Sequence, residues 1–305
     1  MTIYEAALRR ASPTFTERIS AYAALTKPRI VELLLVTTLP AMVLAAGGIP
    51  RVGLAVGTIA GGALAAGGAN AANMALDGDI DRIMSRTSRR PVAAGVITPR
   101  QAAIFAIVLE VAAFVLLYET ANLFTALLSL GAALFYVFVY TLWLKRRSSQ
   151  NIVIGGAAGA VPVLAGWAAV RNDLSLAALV MFGVVFLWTP PHFWALALHY
   201  RDDYEAANVP MLPVKASRGS TTAQILAYSV ALWICSLALI PAGHMGIVYS
   251  VAALAAGGAF CSGAWKLHRS RDGEGLAPMR LFHWSIGYLA VLFVAIAVDV
   301  LARHH

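Results

Sequence analysis

Asn73, Asp77 and Asp81 recur at every fourth position in the stretch NMALDGDIDRIMSRTSRRP, residues 73–91. On a helix that spacing stacks the three side chains on one face, turn above turn. Carboxylates so placed repel unless a cation sits between them. An amide and two carboxylates supply the oxygen ligands that suit Mg²⁺, an ion that shares its shell with substrate phosphates. Asp79 points away from that face if the helix continues. Arg86, Arg89 and Arg90 follow closely, and a planar guanidinium matches phosphate oxygens two at a time. Metal ligands adjoining phosphate clamps point to a diphosphate bridged by Mg²⁺. The chemistry implied is loss of that diphosphate from an allylic ester, because neutralising the leaving group lowers the barrier to C–O cleavage.

A second acidic cluster, Asp202, Asp203 and Glu205, follows the stretch WTPPHFWALALHYR, residues 188–201. Asp202 and Glu205 can share a helix face, with Asp203 one step off. Asp202 is the expected third metal carboxylate beside Asp77 and Asp81, and joins them and Asn73 in the expected catalytic group. His192 and His199 lie seven apart, on one face with Trp188, and that face runs into the acids. A lone intramembrane histidine reads as packing; this arrangement makes Trp188, His192 and His199 candidates for binding an acceptor. Pro190 and Pro191 should kink or break the helix and leave carbonyls unpaired near a cavity. Tyr136, Tyr140, Trp188 and Trp194 offer ring faces that would stabilise a developing cation, although packing and interface belts use the same residue types. Glu32, Glu110 and Asp299 are acids in apolar surroundings, which suits buried hydrogen-bond partners.

These residues need elements to hold them, and composition says which kind. Of 305 residues, 60% are hydrophobic and 12% charged, where a soluble domain carries roughly 25% charged residues. Mean hydropathy is +0.73. Too little polar sequence remains to cover a water-facing surface, so the surface must face lipid. Nine stretches are long enough to span: 30–48, 53–76, 101–118, 122–143, 152–170, 174–198, 222–241, 245–265 and 281–301. Links such as Pro50-Arg51 make neighbours antiparallel. Paired small residues, as at Gly155-Gly156 and Gly257-Gly258, suit close helix packing where lipid replaces water. The expected architecture is all-α: a polytopic bundle of nine transmembrane helices around a central cavity. Residues 1–29 form an N-terminal segment with no apolar leader, and 30–301 form a single transmembrane domain.

With the N-terminus inside, all but three of the 23 Lys and Arg residues fall on the cytoplasmic side, the exceptions being Arg51, Arg171 and Arg303. The positive-inside rule therefore fixes a cytoplasmic N-terminus and places both acidic clusters at the cytoplasmic helix ends. It also accounts for the net charge of +8, so nucleic-acid binding is not needed to explain it. That rule alone would predict the arginines after residue 81; it predicts no acids, and acids at membrane depth are costly and usually functional. Cys235 and Cys261 lie in apolar runs without metal-type spacing, as buried thiols do.

Other classes fit less well. A phosphoalcohol transferase acting on a CDP-lipid needs Ala-Arg soon after Asp77-Gly78, and Ile80-Asp81-Arg82 does not match. A transporter has no need of the Asn/Asp/Asp face followed by arginines. A haem electron carrier shows histidines on facing helices, whereas His192 and His199 share one.

The motif of residues 73–91, NMxxDxDIDxxMxRTxRRP, resembles the signature of the UbiA-type intramembrane prenyltransferases. Four further stretches resemble the branch of that family that farnesylates haem: LTKPR at 25–29, NIVIGG at 151–156, TPPHFWALA at 189–197 and VPMLPV at 209–214. The resemblance covers residues 22–301. It implies nine helices around a cavity open to the lipid bilayer, with farnesyl diphosphate as donor and haem B as acceptor. It implies that Asn73, Asp77 and Asp81 bind Mg²⁺-diphosphate with help from Arg86 and Arg90, and a haem-pathway partner in the membrane. Many members carry a second motif of two aspartates four apart. Here Asp202 is followed four residues on by Ala206.

Overall fold

The computed structural model describes residues 14–270 and 277–303, and for residues 29–35 the backbone alone. The expected roles of Glu32 and of residues 1–13 lie outside the described residues. Every element among the described residues is helical: α1 (Phe15–Leu25), α2 (Pro28–Ala46), α3 (Val52–Leu76), α4 (Gly78–Ile83), α5 (Pro99–Thr120) and α6 (Leu123–Leu134). A π-helix (Phe135–Trp143) and a 3₁₀ turn (Leu144–Arg146) continue α6. Then come α7 (Asn151–Arg171), α8 (Leu176–His199), α9 (Arg201–Ala206), α10 (Leu212–Lys215), α11 (Arg218–Ala242), α12 (Ile247–Arg269) and α13 (Pro278–Arg303).

Local sequence sets many of these boundaries. Thr98 and Gln101 form a reciprocal capping box with Pro99 at the first helical position of α5, which satisfies backbone donors the helix cannot reach. Thr14 and Glu17 do the same for α1, a helix within the polar N-terminal segment. Ser175, Ser217 and Asn122 each cap a helix through a side-chain oxygen. Gly47 ends α2 at φ 65°, in the left-handed region that favours glycine.

Among the described residues, eight helices are long and apolar enough to cross a membrane, and the chain is an integral membrane protein. The eighth of these in order is α13; α2 stands outside the eight, its described apolar part being the shorter stretch Val36–Ala46. Consecutive long helices pack side by side, and α13 returns to α2 and α8, so the bundle closes on itself. Its main apolar core lies among α2, α7, α8, α11, α12 and α13, around Trp188, Trp194, Phe260 and Phe293. Close approach depends on glycine at particular points. A Cβ on Gly257 would lie 1.8 Å from Cδ1 of Trp233, and one on Gly155 would lie 2.3 Å from Cδ2 of Tyr140.

One expectation needs correction. Pro190 and Pro191 do not break their helix: α8 runs unbroken from Leu176 to His199, with both prolines buried. In an apolar setting the remaining backbone hydrogen bonds have no water to exchange with, so the helix continues through the defect. The second span ends where its apolar run does: helix α3 stops at Leu76, Asp77 sits at φ −99° and ψ 14°, and the six-residue α4 follows.

Asp299 is the buried hydrogen-bond partner expected from its apolar context. Its carboxylate accepts the backbone N–H of Gly246 at 2.7 Å and of Tyr249 at 3.2 Å, and pairs with Arg303 at 2.9 Å. A residue of α13 thus caps the first turn of α12, where backbone N–H groups lack partners. Glu110 differs: it packs against Gly68, and its Oε1 is buried without a hydrogen bond. Replacing Asp299 by alanine strands those N–H groups and is expected to destabilise the protein by about 1–3 kcal/mol. Thermal unfolding of detergent-solubilised protein measures this; an unchanged midpoint would show that the cap contributes nothing.

Candidate active site

The break at Asp77 does not disturb the register of the Asn73 face. Asp77 N donates to Asn73 O at 2.9 Å, and Asp81 N donates to Asp77 O at 2.8 Å, so each step is still a helical turn. Asn73, Asp77 and Asp81 are all buried, with Asp77 fully enclosed. The Asn73 amide donates to Asp77 Oδ2 at 2.6 Å and to Thr141 Oγ1 at 3.3 Å, while its Oδ1 accepts from Lys27 Nζ at 3.3 Å. Asp79 points off the face, as its place in the helical turn dictates, and is exposed.

Cations surround the buried acids. Lys145 Nζ donates to Asp77 Oδ2, and Arg146 approaches Asp77 Oδ1 at 3.5 Å. Arg90 Nη1 contacts both carboxylate oxygens of Asp81, at 2.8 and 2.9 Å. Arg146 also grips Asp79 with two hydrogen bonds, at 2.7 and 2.8 Å, and that grip holds the Asp79 carboxyl down at about 2. Lys27 lies at the left-handed N-cap of α2, at φ 50°. Burial first, then the charges of Arg90 and Lys145, push its ammonium well below the ordinary lysine range. Buried charge persists only when paired, and here each buried carboxylate has at least one cation.

The donor set fits a hard cation. Asp77 Oδ1 is buried and takes no hydrogen bond, so a lone pair remains in an enclosed place. Asn73 Oδ1 and the two Asp81 oxygens complete an all-oxygen set of the kind Mg²⁺ selects. No group of three or more His, Cys, Asp or Glu residues gathers as a metal site among the described residues. An Mg²⁺ here would therefore take two carboxylates and an amide, and fill its remaining positions with phosphate or water.

The sixth-span cluster arrives differently from the expectation. Asp202 is exposed, as is Glu205, and Asp202 does not join Asp77 and Asp81. Its neighbour Asp203 reaches across instead, accepting from Ser85 N at 3.0 Å and Ser85 Oγ at 2.5 Å. Helix α8 ends at His199 and the short α9 restarts at Arg201, with Tyr200 N donating to Leu196 O and Tyr204 N to Tyr200 O, both at 3.1 Å, so the turn carries across the junction; Asp202 and Glu205 fall on the exposed side of α9. Arg86 Nη2 donates to Tyr204 OH at 3.4 Å and lies 5.9 Å from the Tyr200 ring centre. Of the three arginines, Arg90 is thus on a buried acid, Arg86 faces the α8–α9 junction and Arg89 is exposed.

Trp188 and His192 stack at 4.1 Å, as residues one turn apart can. His192 also stacks on Phe282 at 4.4 Å, and its Nδ1 lies 2.6 Å from Ser285 Oγ. Ser285 Oγ donates its one proton to Phe282 O, so His192 Nδ1 donates to Ser285. The Trp188 indole donates to Ser285 O at 2.7 Å. His199, in contrast, is exposed at the end of α8 and touches Tyr200 edge-on. The shared face is real in phase, but its two histidines sit in different surroundings. Trp194 is fully buried, with its indole N–H unbonded.

Several contributors were not legible as site residues. Lys27, Lys145 and Arg146 look in sequence like the charge asymmetry of any membrane protein. Thr141 lies in an aromatic run, and Ser85 and Ser285 have no motif around them. The one signal available was the adjacency of Lys145-Arg146 to the end of a span that begins and ends near the acids' own.

Comparison with known proteins gives the same direction. The chain is 56% identical over 304 residues to Protoheme IX farnesyltransferase 1 of Saccharopolyspora erythraea, covering 98% of this chain and 97% of that one. It is 54% identical over 288 residues to Protoheme IX farnesyltransferase of Clavibacter sepedonicus, covering 93% of each. Its fold is similar to that of a digeranylgeranylglyceryl phosphate synthase, with a TM-score of 0.77 at 15% identity over 94% of this chain and 99% of that one. It is also similar to a UbiA homolog from Archaeoglobus fulgidus bound to GPP and Mg²⁺, with a TM-score of 0.68 at 20% identity over 92% and 99%. Residues 34–286 match the UbiA prenyltransferase family, and the chain belongs to that family.

Proposed function

We propose that this protein transfers the farnesyl group of farnesyl diphosphate to a vinyl group of haem B, giving haem O. The observation that carries this reading is the enclosed Asn73–Asp77–Asp81 face with Lys27, Arg90, Lys145 and Arg146 around it. The relatives named as protoheme IX farnesyltransferases, similar over nearly the whole chain, support haem as the acceptor. Asn73, Asp77 and Asp81 would hold Mg²⁺, which when bound neutralises the leaving diphosphate. Asp202, exposed on α9, stands apart from that set.

The chain's own residues do the rest. Arg86, Arg89 and Arg90, with Lys27, Lys145 and Arg146, would offer hydrogen-bond donors to the diphosphate oxygens. The farnesyl C1–O bond breaks and the diphosphate leaves. The vinyl π-bond attacks C1 and forms the new C–C bond. Water then adds at the carbon next to the porphyrin ring and releases a proton, which leaves a hydroxyethylfarnesyl group. Tyr136 and Tyr140, stacked at 5.2 Å, present ring faces beside the acids and would stabilise positive charge on the farnesyl chain. Trp188 and His192, in a buried stack with Phe282, would back the acceptor's binding place, with His199 exposed at the end of the same helix.

The charge asymmetry supports nine spans with the N-terminus and the site on the cytoplasmic side of the cell's inner membrane. The hydrogen bonds that join the loops after α3, the 3₁₀ turn and α8 put all three at one end of the bundle, in keeping with that orientation. The main alternative is a sister prenyltransferase with another aromatic or porphyrin-like acceptor. The shared family and diphosphate site would serve either.

Purified protein with farnesyl diphosphate, Mg²⁺ and either haem B or 4-hydroxybenzoate separates the two. Haem O is the expected product, and prenylation of the benzoate alone would overturn the haem assignment. Asp77→Ala and Asp81→Ala are each expected to abolish transfer while the protein remains in the membrane; full activity in either would remove the metal-site argument. The Ser85 contact generates a separate expectation. Asp203→Ala should raise hydrogen exchange at the Ser85 amide and in residues 84–97, while Asp202→Ala should not. Equal exchange in the two variants would show that the contact does not hold the loop.

A further inference from the structure

We propose that Thr141 is a positioning residue that fixes which end of the Asn73 amide faces the cation, and that the π-helix exists at this point to bring it there. The inference rests on the diphosphate-site reading above.

The argument begins with the aromatic run FYVFVYTLW, residues 135–143, which winds as a nine-residue π-helix in an otherwise α-helical span. Such stretches are rare and concentrate at functional sites. Its last turn places Thr141, fully buried, with its hydroxyl donating to Tyr136 O at 2.9 Å, five residues back. A hydroxyl has one proton. Having given it to Tyr136, Thr141 Oγ1 can only accept from its other neighbour. That neighbour is the Asn73 amide at 3.3 Å, so the amide must present its NH₂ group. The NH₂ group also serves Asp77 Oδ2 at 2.6 Å, and Oδ1 is left facing Lys27 Nζ at 3.3 Å. Both N–H donors and one of the two Oδ1 lone pairs of Asn73 are thereby used in one sense of rotation, and the second lone pair is left over.

The two acceptors differ in how they respond to a metal. The Asp77 oxygen that takes the Asn73 N–H also holds Lys145, and it is an oxygen a cation would claim. Thr141 Oγ1 is neutral, and its hydrogen bond to the backbone keeps it in place. Once a cation draws Asp77 away, Thr141 alone retains the amide with its oxygen outward. Residues that orient a ligand from behind are worth about 10- to 100-fold in metal affinity.

The test uses the full chain in detergent, titrated with inorganic pyrophosphate with and without Mg²⁺ by calorimetry. The parent is expected to bind pyrophosphate in an Mg²⁺-dependent manner. Thr141→Val, which keeps shape and removes the acceptor, is expected to weaken that binding by about 10-fold or more, and Thr141→Ser to restore it. Thermal unfolding in metal-free buffer should change little in either, because the fold does not need the amide's orientation. On an Asn73→Ala background, Thr141→Val should add nothing, since its effect passes through Asn73. Parent-like binding by Thr141→Val, equal loss in the Val and Ser variants, or a full additional loss on the Asn73→Ala background would overturn the proposal. If the parent itself shows no Mg²⁺-dependent binding, the diphosphate-site reading falls, and this inference with it.

Discussion

The structure turns on two acids, Asp77 and Asp81, enclosed at the end of an apolar bundle. Burying a carboxylate costs several kcal/mol unless it is paired and hydrogen-bonded. That requirement explains much that surrounds them. Lys145 and Arg146 answer Asp77, Arg90 answers Asp81, and Lys27 holds the amide between them. These basic side chains come from three separate places in the chain, so the site ties the start of α2, the 3₁₀ turn and the loop after α4 to the end of α3. The groups that would make the site bind diphosphate are also those that let the protein fold around the buried acids.

The scaffold obeys a different rule. In the span region packing, rather than water, decides how helices meet, and the contacts follow residue size. Gly155 admits Tyr140, Gly257 admits Trp233, and the α12 end is closed by Asp299. Polar contacts within the bundle are mostly hydroxyl-to-backbone, such as Thr189 on Val185 O and Ser229 on Ile225 O. They satisfy the helix locally, while a few such as Ser236 with Tyr288 and Asn122 on Ala168 O join one helix to another.

Sequence made the elements legible because a membrane helix is specified by a long apolar run, and eight of the expected spans emerge as helices of spanning length. The Asn73 face was legible for a related reason: a four-residue spacing survives even where the helix breaks at Asp77. The second acidic cluster was not, because its three acids fall on different sides of the short α9, and nothing in their spacing says that Asp203 rather than Asp202 turns toward Ser85. The prolines misled by a general rule that water-exposed helices obey and a buried helix resists. Lys27, Lys145 and Arg146 were hidden by a stronger signal of the same sign, since orientation alone asks for basic residues at those helix ends.

The π-helix at 135–143 has a consequence for how this span can vary. A π-helix fits about one more residue into each turn than an α-helix, so the same nine residues wound as ordinary helix, at about 100° each, would swing everything beyond them by more than a quarter turn. Lys145 and Arg146 lie directly beyond it. The winding of this segment is therefore a setting: as ordinary helix the same residues would still cross the bilayer, yet the basic pair would turn away from Asp77.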